Sequence, residues 1–316
     1  MDAIPELARM AEAHGFGCAW GGEANNKDLT VMLAAIAAVT SRLQIGAAVY
    51  HILGRTPATL ALQAVGLDEL SGGRFLLGVG VSNPTIAKWH GVPFDHPMGR
   101  VREYVEIVRS AMAGEKLNFE GEFFSAHGFK LAFKPSGRKI PIYLAAFGPK
   151  MSRLAGRLTD GVLINMANPA EIRRIADEAR AGAKEAGKEP GSLEIICKVR
   201  CSVARDRAQA REALSRLLTY YALADYYREL FSRMGFAAEV EAMRSAWRAS
   251  GFHAARALIT ERFFQGVALI AAASVEEVRE ELRPYREAGV TRVILPYVPA
   301  SDDVVAEMKN FISSWE

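Results

Sequence analysis

The segment from Phe147 to Lys150 places a glycine, a proline and a lysine directly after a short apolar run. Glycine permits a tight turn and proline suits the first position of a helix, so the pattern predicts a strand over 142–146 followed by a helix. The first turn of a helix presents unpaired N–H groups and the positive end of its dipole. The loop with Gly148 and Pro149 is therefore a candidate phosphate site, with Lys150 as a nearby cation. An ordinary strand-to-helix turn is the alternative interpretation.

The residues after this loop complete a strand–helix–strand unit. Met151, Leu154 and Leu158 recur at helical spacing, and an Asp-Gly pair ends the helix before a second apolar strand over 162–165. The candidate phosphate loop thus lies within a βαβ unit.

The same alternation of apolar runs and amphipathic helical periods recurs along the chain. Predicted strands start at Phe16, Arg42, Arg74, Ile142, Val162, Leu193 and Arg292. Strands that alternate with helices predict a parallel sheet. The seven predicted strands are one fewer than the eight of a closed TIM (β/α)8-type barrel. Since residues 3–14 already have the pattern of a helix, the first strand is the missing one.

A missing strand leaves unpaired backbone groups on the two strands beside the gap, which proteins rarely leave uncovered. We therefore expect that this sequence begins downstream of the natural start, or that a neighbouring segment or subunit covers the gap. Stability is lowered in either case.

Residues 206–262 have a helical pattern throughout, with Leu214, Leu218 and Tyr221 at core spacing. We interpret them as a helical insertion within a single barrel domain that covers residues 1–316. The insertion covers the barrel, or it acts as a substrate lid or an oligomer contact.

The composition excludes several classes of function. Half of the 316 residues are hydrophobic, 24% are charged, and a net charge of +3 without a clustered basic patch argues against nucleic acid as a partner. No apolar run reaches the length of a membrane span, and the amphipathic start is unlike a signal peptide, so we expect a cytoplasmic protein without membrane contact. Cys18, Cys197 and Cys201 lack the spacing of a metal site, and no metal is expected.

Several stretches together resemble the luciferase-like monooxygenase superfamily, in particular its branch of oxidoreductases that depend on the deazaflavin coenzyme F420. They are AEAHGFGCAW, LAAIAAVTSRLQIGAAV, RTPATLALQAVGLDELSGGRFLLGVGVSNP, AAFGPKMSRLAGRLTDGVLIN and SVEEVREELRPYREAGVTRVIL. The resemblance covers nearly the whole chain and implies a TIM barrel that binds a flavin-like ring at its carboxyl face. We also expect a small-molecule substrate and a homodimer.

The resemblance further implies which residues bind the cofactor. The match at 48–49 is to a bulge of the third strand with a non-proline cis peptide behind the cofactor ring, and the match at 147–151 is to the loop that binds the cofactor phosphate. The residues implied for the ring are Ala48 and Val49, and Gly80, Val81 and Ser82 are implied to bind the cofactor as well. Those implied for the phosphate are Phe147, Gly148, Pro149, Lys150, Met151 and Asn165.

Glu23 and His51 are the candidate catalytic acid/base residues, because each lies at the carboxyl end of a predicted strand. A salt-bridged loop acid and a structural hydrogen-bonding histidine are the alternative interpretations. In relatives that oxidise a sugar phosphate, a histidine follows the acid and a glutamate stands at the position of Asn83. Ala24 and Asn83 occupy those positions here, and alanine cannot transfer a proton, so that substrate is not expected.

We therefore expect an F420-dependent oxidoreductase that transfers a hydride between C5 of the deazaflavin and a small organic substrate. An FMN-dependent monooxygenase that uses reduced flavin and oxygen is the second hypothesis, and the stretches GVGVSNP and AAFGPKM favour F420 over it. A barrel that binds a cofactor without turnover is the third hypothesis, suggested by Ala24, Asn83 and the absent first strand.

Overall fold

The computed structural model describes residues 2–315, in which strands and helices alternate along most of the chain. The strands are β1 (Cys18–Gly21), β2 (Gln44–Ala47), β3 (Tyr50–His51), β4 (Phe75–Gly80), β5 (Asn118–Glu120), β6 (Ser125–His127), β7 (Ile142–Ala145), β8 (Gly161–Asn165), β9 (Glu194–Lys198), β10 (Arg200–Val203), β11 (Leu269–Ala272) and β12 (Arg292–Ile294). The helices are α1 (Ile4–Ala13), α2 (Leu29–Ala37), α3 (Pro57–Ser71), α4 (Pro84–Trp89), α5 (Pro97–Met112), α6 (Pro149–Leu158), α7 (Pro169–Glu185), α8 (Arg207–Leu223), α9 (Asp225–Arg233), α10 (Ala237–Ser250), α11 (Phe252–Arg256), α12 (Glu261–Gln265), α13 (Val275–Glu281), α14 (Arg283–Glu287) and α15 (Val304–Ser313). None of the helices within residues 2–315 combines the length and the apolar character needed to cross a bilayer.

Parallel ladders join the strands in the order β1, β2, β4, β7, β8, β9 and β12, with the short β3 beside β4. Because these strands run parallel, their carboxyl ends lie at one end of the sheet. We call this end the mouth, and it is formed by the residues at and just after Gly21, His51, Gly80, Ala145, Asn165 and Lys198. The strands form a nearly closed α/β barrel, which confirms the predicted fold class.

The gap in the barrel lies between β1 and β12. No ladder joins these two strands in the part of the chain that the structure describes. Side chains bridge the amino ends of the strands instead, since Arg292 of β12 donates to Gln44 Oε1 (2.7 Å) and pairs with Glu194 of β9 (3.3 Å). We call these three residues, Gln44, Glu194 and Arg292, the floor of the barrel. The missing first strand stays a prediction.

The barrel interior is an apolar cluster separate from the larger core between strands and helices. Its larger members are Trp20, Leu76, Tyr143, Leu163, Ile196 and Ile294. Side chains alternate in direction along a strand, so Gly80 shares the inward face of Leu76, and Ala145 that of Tyr143. Bulky side chains therefore fill the lower barrel, and small residues leave room at the mouth.

Two predicted strands are divided in the structure because their neighbours change. The run over 42–50 forms β2 and β3 on either side of the Ala48–Val49 peptide bond, which is cis. The run over 193–203 is divided at Val199, since β9 pairs with β8 and β12 whereas β10 pairs with β11. Apolar periodicity does not reveal such a change of partner, because both halves remain buried.

The predicted helical segment over 206–262 contains α8 to α11 and the start of α12. Helix α8 packs against β10 and β11. Helix α9 brings the Tyr227 hydroxyl into hydrogen-bonding contact with Asn165 at the mouth. The segment therefore covers neighbouring strands and also forms part of the mouth.

A carboxylate from α1 fixes the turn that precedes β2. Glu12 Oε1 accepts hydrogen bonds from the backbone N–H groups of Ser41 (2.8 Å), Arg42 (2.6 Å) and Leu43 (2.9 Å). These hydrogen bonds lower the pKa of Glu12 to about 2. Since β2 leads directly to the Ala48–Val49 bulge, this contact helps to position the mouth.

We expect Glu12→Gln to lower Tm by about 2 °C at pH 7, because a neutral carbonyl accepts these hydrogen bonds less strongly than a carboxylate. The folded-state pKa lies below the unfolded one, so the stabilisation is present above pH 4.5 and is lost as the pH falls toward 2. Thermal unfolding of the unaltered protein and of Glu12→Gln at pH 7 and pH 3 measures this difference in Tm. Glu6→Gln, which removes only an exposed ion pair with Lys309, is the control. A Tm difference that does not change with pH would contradict the assignment.

Candidate active site

Glu23 and His51 meet at the mouth together with an arginine that the sequence did not reveal. Glu23 Oε2 accepts a hydrogen bond from the His51 backbone N–H (3.1 Å) and lies 3.3 Å from His51 Nε2. Arg55 Nη1 donates to the same oxygen (3.1 Å), and Arg55 Nη2 donates to Oε1. Both carboxylate oxygens are therefore engaged, and the guanidinium also stacks over the Tyr50 ring at 4.6 Å.

The His51 ring is almost completely enclosed, with 3% of the residue exposed. The His90 ring lies 4.7 Å away between centroids, and a Cβ at Gly54 would lie 2.4 Å from His51 Cε1. Burial lowers the pKa of His51 below its ordinary value, although the Glu23 carboxylate opposes this change. The ring is thus neutral at pH 7. Because Nε2 faces the carboxylate, it carries the proton and leaves Nδ1 as an acceptor.

His51 Nδ1 and Ser82 Oγ are buried polar atoms for which the described residues provide no hydrogen-bond partner. Ser82 also has a φ of 69°, in the left-handed region that non-glycine residues rarely adopt. Backbone strain of this kind, at a strand end, is typical of functional sites. The adjoining Val81 is half-buried against the core.

The Ala48–Val49 bulge forms the wall of the mouth beside β4. The backbone N–H of Glu23 donates to the Val49 carbonyl (3.3 Å), which ties the end of β1 to the bulge. A Cβ at Gly80 would lie 2.9 Å from Val49 Cγ2, so this close approach requires glycine. The Ala48 carbonyl accepts a hydrogen bond from Lys198 Nζ.

The predicted phosphate loop opens helix α6. Gly148 is the residue before the helix, and no side chain caps the first turn. The N–H groups of Lys150 and Met151 belong to this first turn, which has no intrahelical acceptors. A Cβ at Gly148 would meet nothing within 4 Å, so open space lies in front of the turn. The Lys150 side chain is exposed. This geometry suits an anion held by backbone N–H groups.

A network of aromatic and polar side chains joins this loop to Asn165. The Phe147 ring stacks on Tyr227, with centroids 5.3 Å apart, and Asn165 Nδ2 donates to the Tyr227 hydroxyl. Asn165 Oδ1 accepts from Arg200 Nη1 (2.5 Å). On the other side of the loop, Arg233 of α9 donates to the Phe147 carbonyl. The network therefore fixes the loop against the barrel.

The structure brings the predicted residues together in two groups, one around Glu23 and His51 and the other around the loop and Asn165. Sequence reasoning missed Arg55, Lys198, Arg200 and Tyr227, which hold these groups in place. A signal was present for the two basic residues of this set on the strand over 193–203, because they share one face of a run whose other face is entirely apolar. For the arginine and the tyrosine we find no signal in the spacing.

Comparisons with known proteins identify the family of the chain. The sequence model of the family described as luciferase-like monooxygenase matches residues 1–292. A 5,10-methylenetetrahydromethanopterin reductase of Archaeoglobus fulgidus is 31% identical over 295 residues, covering 90% of this chain and 86% of that protein. The structure of the coenzyme F420-dependent tetrahydromethanopterin reductase of Methanopyrus kandleri has a TM-score of 0.85 at 24% identity, covering 98% of this chain and 93% of the other.

A second solved structure, of an F420-dependent secondary alcohol dehydrogenase with an F420–acetone adduct, has a TM-score of 0.78 at 23% identity and covers 98% of this chain and 92% of the other. At these identities the two structural likenesses establish the barrel fold alone. The family match spans most of the chain, and the archaeal reductase is 31% identical. These two findings establish the family as well as the fold. The chain belongs to the luciferase-like monooxygenase family.

Proposed function

We propose that this protein is an oxidoreductase that depends on coenzyme F420 and transfers a hydride between C5 of the deazaflavin and a small organic substrate. The observation that carries the proposal is the open first turn of α6, which lies at the same mouth as the Ala48–Val49 bulge. The archaeal relative reduces 5,10-methylenetetrahydromethanopterin by its name, and two structural neighbours are F420-dependent by theirs.

The residues at the mouth fit such a cofactor. A phosphate needs N–H donors and space, which the turn at Gly148 offers. A polar ring needs hydrogen-bond partners as well as a flat wall, which the Ala48–Val49 bulge provides. Beside this wall, Ser82 Oγ and His51 Nδ1 are buried atoms without hydrogen-bond partners. In the proposal, residues 147–151 and Asn165 hold the phosphate, while Ala48, Val49 and residues 80–82 back the ring.

Bound there, F420 supplies the hydride chemistry at C5. The protein then has to orient the ring, exclude water and hold a proton. We infer that His51 Nδ1 accepts this proton, because it is the unprotonated ring nitrogen and no protein group engages it. Glu23 acts through His51, because Arg55 already neutralises its carboxylate. Glu23 is therefore a positioning residue in this proposal rather than the base.

Parallel binding titrations with F420 and FMN test the cofactor. We expect F420 to bind at least about tenfold more tightly than FMN and to support anaerobic reduction of candidate substrates. Tighter binding of FMN together with oxygen consumption would favour the monooxygenase hypothesis. Binding of neither cofactor would overturn the proposed function.

Gly148→Asp places a carboxylate at the start of α6. We expect it to weaken F420 binding at least about tenfold by repelling the phosphate, without lowering Tm, because aspartate is a favourable cap at this position. Quenching of F420 fluorescence and thermal unfolding measure the two effects. Gly17→Asp is the control, because it adds the same charge at an exposed glycine just before the amino end of β1, away from the mouth. Unchanged F420 affinity in Gly148→Asp would count against the loop.

Glu23→Gln should lower the pKa of His51 further, because Glu23 is the group that raises it. A histidine NMR titration measures this shift, and Glu120→Gln, next to the exposed His127, is the control.

His51→Ala should reduce kcat by roughly 10²–10⁴-fold and keep F420 affinity within about tenfold, the usual scale for loss of an acid or base. Full turnover in His51→Ala would show that the proton has another source.

A further inference from the structure

Arg233 is a partly buried arginine at the end of α9 that contacts the candidate phosphate loop. Its Nη2 donates to the Phe147 carbonyl in that loop. Its Nε donates to Glu171 Oε1 of α7 (2.8 Å), and its Nη1 donates to Glu229 Oε1 of its own helix (2.9 Å). One guanidinium therefore joins two helices to the backbone of the loop.

The Glu171 carboxylate holds this guanidinium in place. Glu171 is 2% exposed, and its backbone N–H donates to Asn168 Oδ1 (2.9 Å) at the start of α7. A buried carboxylate needs compensating charge, which Arg233 supplies at one oxygen and Arg174 at the other (2.9 Å). Arg233 is thus anchored on the side away from the loop, and its orientation toward the loop follows from that anchor.

The contact with the Phe147 carbonyl fixes the direction of the next backbone N–H group. The Phe147–Gly148 peptide bond is trans, and the C=O and N–H bonds of a planar trans peptide point in opposite directions. The Gly148 N–H therefore points away from Arg233. Among residues 2–315 it has no hydrogen-bond acceptor, and a Cβ at Gly148 would meet nothing within 4 Å.

Pro149 gives this free N–H group its importance. Proline stands at the first position of α6 and has no N–H, so the first turn has one donor fewer than usual. The N–H of Ser152 already donates to the Gly148 carbonyl (2.9 Å), which leaves those of Lys150 and Met151. The Gly148 N–H is then the third donor that the loop can offer to the several acceptor oxygens of a phosphate.

We propose that Arg233 is a positioning residue for the cofactor phosphate. By holding the Phe147 carbonyl, it orients the Gly148 N–H toward the anion that the first turn of α6 binds. The inference rests on the proposed function, because it takes the ligand of this loop to be the phosphate of the cofactor. Arg233 lies on the carbonyl side of the peptide, so it acts through the backbone and is not itself a ligand of the phosphate.

A titration of ¹⁵N-glycine-labelled protein with inorganic phosphate tests this role without the cofactor. The signal of the Gly148 N–H, identified by its absence in Gly148→Ala, should shift in the unaltered protein. Arg233→Met keeps much of the side-chain volume but removes its N–H donors. It should weaken phosphate binding at least about tenfold and abolish the shift at Gly148, because one hydrogen bond to a charged group is lost.

Glu171→Gln separates positioning from a simple effect of charge. If charge alone mattered, loss of a negative charge near the loop would strengthen phosphate binding. In the proposal the substitution loosens Arg233, so it should weaken phosphate binding at least about threefold. Arg174→Met is the matched control, because it removes a cation from the same carboxylate without contact to the loop. Its phosphate affinity should stay within about twofold of the unaltered protein.

Thermal unfolding identifies the variants that fold. An unchanged shift at Gly148 in folded Arg233→Met, or tighter phosphate binding by Glu171→Gln, would overturn the proposal. So would a Gly148 signal that phosphate does not move in the unaltered protein. If phosphate gives the expected results but F420 does not bind, the role of Arg233 stands and the proposed function fails. If F420 binds equally to every variant, the proposed function stands and the role of Arg233 fails.

Discussion

The carboxylate of Glu23 joins three parts of the mouth. It extends from the loop after β1, accepts a hydrogen bond from the backbone at the end of β3, and pairs with Arg55 in the loop before α3. These contacts lie across the bulge, because the backbone N–H of Glu23 also donates to Val49. Since a buried carboxylate needs a compensating charge, Glu23 and Arg55 must be placed together. The position of His51 depends on that pair.

Charge is distributed unevenly along the barrel axis. At the floor, Arg292, Glu194 and Gln44 satisfy one another and bring together strands that are distant in the chain. Near the mouth, Lys198 and Arg200 have only neutral acceptors. A protein interior tolerates an uncompensated cation poorly. The two ends of the barrel thus differ in how their charges are compensated.

Much of the fold could be predicted from the sequence, because apolar periodicity reports burial and strands that alternate with helices specify a parallel sheet. Glu23 and His51 could also be located, since both lie at the carboxyl ends of strands. The role of Glu23 could not, because the guanidinium of Arg55 that neutralises it comes from a loop whose path the pattern does not specify. Tyr227 lies within the predicted helical segment, but nothing in its spacing identified it as a site residue. Its hydroxyl reaches Asn165 across more than sixty intervening positions, a distance over which local periodicity has no bearing.

The helical segment over 206–262 is joined to the mouth by more than packing. Arg233 of α9 donates to the Phe147 carbonyl and pairs with Glu171 of α7 (2.8 Å), while Tyr227 stacks on Phe147. The segment is therefore not a module that can be exchanged freely. A chimaera that borrows these helices from a relative would replace the part of the mouth around Tyr227 and at the same time lose the support of its own loop at Phe147. Helices and loop would then have to be exchanged together.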